Sequence, residues 1–235
     1  MSNFFENTAS RSVVQTRSIL RNVYIWMTLA LTVTGIVAFM LGQNVSFVSG
    51  LFQSGAIWAV IIAQVVLVIA ISGFVMKMSP AVATGVFALY SVLMGVSLSS
   101  IFLIYELGSI ATAFFVTAGM FAGMSVWAIT TKRDLTGMGN FLFMGLIGLL
   151  IASLINFFLK SSVMDYIISF VGVVIFTLLT AYDTQKIKRM SDSYGENIVE
   201  ADYLRLSILG ALTLYLDFIN IFMYLLRFFG GSSRD

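Results

Sequence analysis

Seven apolar stretches constrain this chain more than any other feature: they lie near residues 22 to 42, 56 to 76, 81 to 105, 109 to 129, 141 to 160, 163 to 183 and 203 to 228. Each reaches about the 20 residues that a helix needs to cross roughly 30 Å of hydrocarbon. The composition agrees, because 59% hydrophobic residues, 10% charged residues and a mean hydropathy of +0.98 lie far from soluble globular averages. An all-α integral membrane protein with seven transmembrane helices is expected.

Residues 1–21 are polar, with Glu6, Arg11, Arg17 and Arg21, and contain no short apolar core followed by a small-residue cleavage site. They read as a mobile cytoplasmic tail and not as a signal peptide. A seven-helix transmembrane domain over 22–229 and a short C-terminal tail over 230–235 follow. Connections are short except for the charged segment from Lys186 to Asp202, so no soluble domain and no internal repeat is expected.

Lys and Arg orient the chain. With the N-terminus inside and seven full crossings, Arg11, Arg17, Arg21, Lys77, Lys132, Arg133, Lys186, Lys188, Arg189 and Arg205 fall inside, and Lys160, Arg227 and Arg234 outside. A re-entrant last segment would bring Arg227 and Arg234 inside as well. The length of the last apolar run, which has no Gly or Pro except Gly210, favours a full crossing.

The chain has no His and no Cys, which removes disulfides, thiol nucleophiles, zinc-thiolate sites and the commonest general base. No enzymatic activity and no cofactor is expected. Smaller signals have plain explanations. GMFAG at Gly119 to Gly123 is a GxxxG that suits close helix packing within the chain better than a dimer interface. Pro80 stands in the first turn of a span, where its missing N–H costs nothing. Trp26, Trp58, Trp127 and Tyr24 lie near span ends, in the headgroup layer. The acidic residues Asp192, Glu196, Glu200 and Asp202 match no EF-hand spacing and read as a solvated loop. Gln64 in the second span and Glu106 after the third either line a path or cap it.

Two aspartates remain in or beside apolar runs, where an ionisable group is a candidate functional site. Asp183, in TAYDTQKIK, has Lys186 three residues on, a spacing that permits a local ion pair. Asp217, in LYLDFINIF, has Thr213, Leu214, Asn220 and Ile221 as helical neighbours, none of them basic. With Arg205 and Arg227 as interface markers, Asp217 lies 12 and 10 residues away, about 18 and 15 Å at 1.5 Å per residue, near the middle of the membrane. Two carboxyls brought together in a low-dielectric site share a proton and titrate in two coupled steps, so a pair can replace histidine as a pH switch. Straight-helix counting puts Asp183 near the cytoplasmic edge, so pairing requires tilt, a water-filled cavity, or a last span that starts deep.

TAYDTQKIK, LYLDFINIFMYLLRF, LRNVYIWMTLALTVTG and GVSLSSIFLIYE together resemble the Bax inhibitor-1 family, the transmembrane Bax-inhibitor-motif proteins, in its bacterial branch, from about Leu20 to Phe228. The resemblance implies six helices surrounding a central C-terminal helix, in the cytoplasmic (inner) membrane of a bacterium with the N-terminus cytoplasmic. It also implies a di-aspartyl pH sensor, Asp183 and Asp217, controlling a calcium leak, with Ca²⁺ as a permeant or transiently bound ion and no assigned metal ligands. Bacterial relatives include proteins that modulate a membrane-bound AAA protease through the N-terminal tail. Some members have a basic residue in the second span that contributes to the gate; here that span has none, leaving Arg21 or Gln64 as substitutes. The resemblance therefore implies a pH-sensitive calcium leak or, alternatively, a regulator of a membrane protease or stress response without transport. An intramembrane aspartyl protease, the third reading, needs GxGD at its second aspartate and a later PAL motif. This chain has LYLD and no proline after Pro80.

Overall fold

The computed structural model describes residues 2–193 and 198–230, with side chains from residue 19 onward. Among them there is no strand, and seven helices or helical spans are long and apolar enough to cross a membrane. The all-helical, seven-span expectation holds. The share of the most apolar window buried is 72% in the last span and 11–39% in the other six, the contrast expected between a helix among helices and helices that face lipid. Glu196, Arg234 and Asp235 lie outside the described residues, as do the side chains of Glu6, Arg11 and Arg17.

The chain divides into two compact units. One comprises 1–104 and 187–215. Its first helix, α1 (Ser2–Gly42), runs unbroken through the segment expected as a tail and into the first span, which begins at Ile19. The connection that follows carries a short helix, α2 (Val45–Gln53), started by Asn44, whose side chain accepts a hydrogen bond from the Phe47 N–H. The second span is α3 (Ala56–Phe74) with a final 3₁₀ turn over Val75–Lys77. The next helix, α4 (Pro80–Leu98), has Pro80 in its first turn as expected, and Ser79 caps it by accepting from the Val82 N–H. The third span is not one helix. It breaks at Ser99 and Ser100, whose hydroxyls turn back onto the carbonyls of Val96 and Ser97, and resumes as α5 (Ile101–Ile104).

Within this unit the C-terminal helix α9 (Glu200–Phe229) is fastened at two levels. Arg205 donates to the Met78 carbonyl at 2.7 Å and pairs with Asp202 at 2.6 Å. Higher up, the buried Tyr215 hydroxyl lies 2.7 Å from Thr34 Oγ1 of α1, which donates to the Ser91 carbonyl, and the Tyr215 ring meets Phe87 and Tyr90 of α4 edge-on.

The other unit comprises 105–186 and 216–235. It holds α6 (Leu107–Thr130), α7 (Met138–Leu159), most of α8 (Ser162–Ser193) and the end of α9. Glycines on α7 allow close approach by α8: a Cβ on Gly139 would lie 2.7 Å from the Tyr182 hydroxyl, and one on Gly145 3.0 Å from Ile175. Ala128 of α6 packs with Leu135 and Ala181. The GxxxG of α6 behaves differently from its expected role: Gly119 and Gly123 are exposed, and a Cβ on either would meet nothing within 4 Å. Among the described residues the motif brings no neighbouring helix into contact.

Candidate functional site

Glycine and aromatic contacts set the register between α8 and α9. Gly172, lacking a side chain, leaves room for the Tyr224 ring, whose Cγ and Cδ2 lie 2.7 Å from where a Cβ would stand. Phe176, one turn on, stacks against the same ring at 5.9 Å. Toward the other end, Tyr166 stacks on Phe228 at 4.5 Å and Asp165 pairs with Arg227 at 3.6 Å. Ascending numbers on α8 thus meet descending numbers on α9, and the two helices are antiparallel. Two turns onward from Phe176 on α8, and two turns back from Tyr224 on α9, stand Asp183 and Asp217.

This register pairs the two residues although counting along the sequence put Asp183 near the end of its span. The sixth span does not end at Asp183, because α8 runs on to Ser193 and α9 starts only at Glu200. Asp183 is therefore interior to its helix and within reach of Asp217.

Both carboxyls are buried, Asp183 to 9% and Asp217 to 4% exposure, and they interact electrostatically with each other. Lys186 is exposed and acts on Asp183 through space, so the pair combines one carboxyl with a cationic neighbour and one that faces only its partner carboxyl. Asp217 Oδ2 has no hydrogen-bond partner among the described residues. An unpaired polar atom of this kind costs about 1–3 kcal/mol when it stays dry. Among the described residues no group of three or more acidic side chains forms a metal-ligand set. The two carboxyls fall short of the roughly six to eight oxygens that hold a resident Ca²⁺.

Gln185, two residues beyond Asp183, was not singled out by sequence reasoning. Its Oε1 accepts the Leu135 N–H at 2.8 Å and its Nε2 donates to the Arg133 carbonyl at 2.9 Å, which clasps the α6–α7 connection to α8. No sequence signal marked it, because Gln185 stands in the polar stretch DTQKIKR. Gly172 was missed as well, although it is the one residue without a side chain in the run FVGVVIF.

The remaining candidates do not join the pair. Gln64 donates to Ser97 Oγ at 3.0 Å and ties α3 to α4 within the first unit. Arg21 is an exposed residue of α1 in that same unit. Glu106 is exposed at the start of α6 and makes no side-chain cap to it. The acidic residues expected in a solvated loop are helical instead: Asp192 lies at the end of α8, and Glu200 and Asp202 in the first turn of α9, where Asp202 is paired with Arg205.

Burial predicts how Asp217 responds to substitution. Asp217→Asn keeps the shape while removing an ionisable group, so thermal scanning in detergent is expected to find stability within about 1 kcal/mol of wild type. Asp217→Ala opens a cavity and strands polar neighbours, at a cost of about 1–3 kcal/mol. Equal losses in the two variants would mark Asp217 as a structural anion.

The fold and the site together define an all-helical, seven-span membrane protein with a buried carboxyl pair on its last two helices. The chain belongs to the Bax inhibitor-1 family: the family described as inhibitor of apoptosis-promoting Bax1 matches residues 16–234. Inner membrane protein YbhL of Escherichia coli (strain K12) is 50% identical over 230 residues, covering 94% of this chain and 97% of that protein. An uncharacterized protein of Borreliella burgdorferi is 46% identical over 92% of this chain and 93% of its own length. One of Rickettsia prowazekii is 44% identical over 93% and 91%.

Proposed function

We propose that this protein is a pH-sensitive, calcium-permeable leak of a bacterial inner membrane, with Asp183 and Asp217 as its proton sensor. The observation that carries this reading is the burial of two facing carboxyls, one of them with an unpartnered oxygen, between two helices long and apolar enough to cross a membrane. Intramembrane carboxyls that are costly to keep are the usual marks of ion and proton pathways. Deprotonation presents anionic oxygens, the ligand type hard Ca²⁺ prefers, and protonation removes them. Flux is thus expected to rise with pH. The charged groups acting on the pair are Lys186, on Asp183, and the two carboxyls on each other. No catalytic step is assigned to either carboxyl.

A second reading, regulation of a membrane-bound AAA protease, draws on α1, which extends as helix from Ser2 to the first span and offers a handle outside the bilayer. Deleting residues 2–17 separates the two readings, since it leaves the carboxyl pair untouched. Calcium flux into proteoliposomes is expected to survive the deletion, and its loss would move the function to the tail.

The proposed orientation places the N-terminus in the cytoplasm and the C-terminus outside, because ten of the 13 Lys and Arg then lie inside. A reporter fused at Asp235 is expected to show extracytoplasmic activity. Cytoplasmic activity there would replace the full last crossing with a re-entrant one.

A further inference from the structure

Asp217 Oδ2 is one of several buried oxygens without a partner in its unit; Ser125 Oγ on α6 and Thr177 Oγ1 and Thr184 Oγ1 on α8 share that condition. Thr180, on the same side of α8, spends its hydroxyl on the Phe176 carbonyl at 2.9 Å, whereas Thr177 and Thr184 make no such bond.

Helical geometry ranges these oxygens along one seam, with Thr177 and Thr184 two turns, or about 10.5 Å, apart along α8. At 3.6 residues per turn, Thr177 and Thr184 share a face of α8. That face lies between the side that carries Gly172 and Phe176 to α9 and the side that carries Ala181 to Ala128 of α6. Asp217 shares its face of α9 with Tyr224 and Phe228, both of which contact α8, so its carboxyl points the same way. The register set by Phe176 and Tyr224 puts Asp217 between Thr177 and Thr184 along the axis. From the third side, Ser125 lies one turn from Phe121, whose ring meets Phe218, the residue after Asp217.

We infer that Ser125, Thr177, Thr184 and Asp217 line a buried hydrated seam, about two turns long between α6, α8 and α9, whose waters keep the Asp217 carboxyl in contact with exchangeable protons. The chemistry selects water. Hydroxyls both donate and accept, a carboxyl oxygen accepts, and a small neutral molecule that makes two to four hydrogen bonds satisfies such a mixture. Hydrocarbon offers these groups no partner. A resident cation is a poorer match, since no group of three or more acidic side chains is present among the described residues. Only the use of this water as a proton route rests on the leak reading; the site itself does not depend on calcium passage.

Thr→Val tests the site, because it removes a hydroxyl at nearly constant shape. From a dry site it would delete an unpaired polar group and leave Tm unchanged or higher. From a hydrated one it breaks the water's bonds, and Tm of the purified full chain is expected to fall by about 2–4 °C for Thr177→Val and for Thr184→Val. Thr184→Ser, which keeps the hydroxyl, is expected to restore most of the loss. In the Asp217→Asn background the Thr184→Val shift should differ from its wild-type value, because groups that share one water are not additive. Unchanged or raised Tm in both Val variants, or strict additivity with Asp217→Asn, overturns the water site. These readouts are independent of flux: a protein that passes no calcium yet loses Tm keeps the water site and loses the leak, and the reverse result separates the two in the other direction.

Discussion

Asp183→Asn and Asp217→Asn are each expected to flatten the pH response of calcium flux in proteoliposomes, with the double substitution adding little to either. Wild-type flux is expected to rise between about pH 5 and 8, a window in which two independent, water-exposed carboxyls would stay fully ionised. The expectation rests on the register of α8 and α9, which brings the two residues together in a buried site. Removing one carboxyl leaves a lone acid with no partner to share its proton. Additive effects of the single substitutions would mean two independent sites. A double variant that keeps the full response, or a wild-type protein that passes no calcium at any pH, would replace the sensor with the protease-regulator reading.

Gly172→Val is expected to cause the largest loss of stability among small substitutions in α8. A Cβ there would stand 2.7 Å from two ring atoms of Tyr224, and the ring is itself held by Phe176 and by Arg227 above its face. Overpacking of this kind costs about 1–3 kcal/mol, and here it acts two to three turns from the carboxyl pair, on the contact that sets the pair's register. Gly148→Val in α7 is the control, since its Cβ would meet nothing within 4 Å. Thermal scanning is expected to find Gly172→Val clearly destabilised and Gly148→Val near wild type. Equal Tm values would show that the α8–α9 contact does not depend on Gly172.

The membrane class and the number of spans could be read from the sequence because hydropathy is local: a run of about 20 apolar residues needs no partner to be recognised. Pro80 was equally legible, as first-turn chemistry depends on neighbours in sequence. Asp217 stood out for the same reason, as a charge without a basic residue within a turn. The depth of Asp183 did not, because polar residues after it disguise the continuation of α8 to Ser193. The pairing itself depends on register between helices, which is decided by Gly172 against Tyr224 and Phe176, contacts that no single helix encodes. The GxxxG of α6 shows the converse limit: its spacing permits close packing, but among the described residues its face meets no neighbouring helix.

Proton binding by the pair can be observed directly by infrared titration of the protonated-carboxyl carbonyl band in reconstituted protein. Two coupled steps are expected in wild type, a single step in Asp183→Asn and in Asp217→Asn, and none from this site in the double variant. A wild-type band that titrates as two independent carboxyls, or one left unchanged by either substitution, would contradict a shared proton between Asp183 and Asp217.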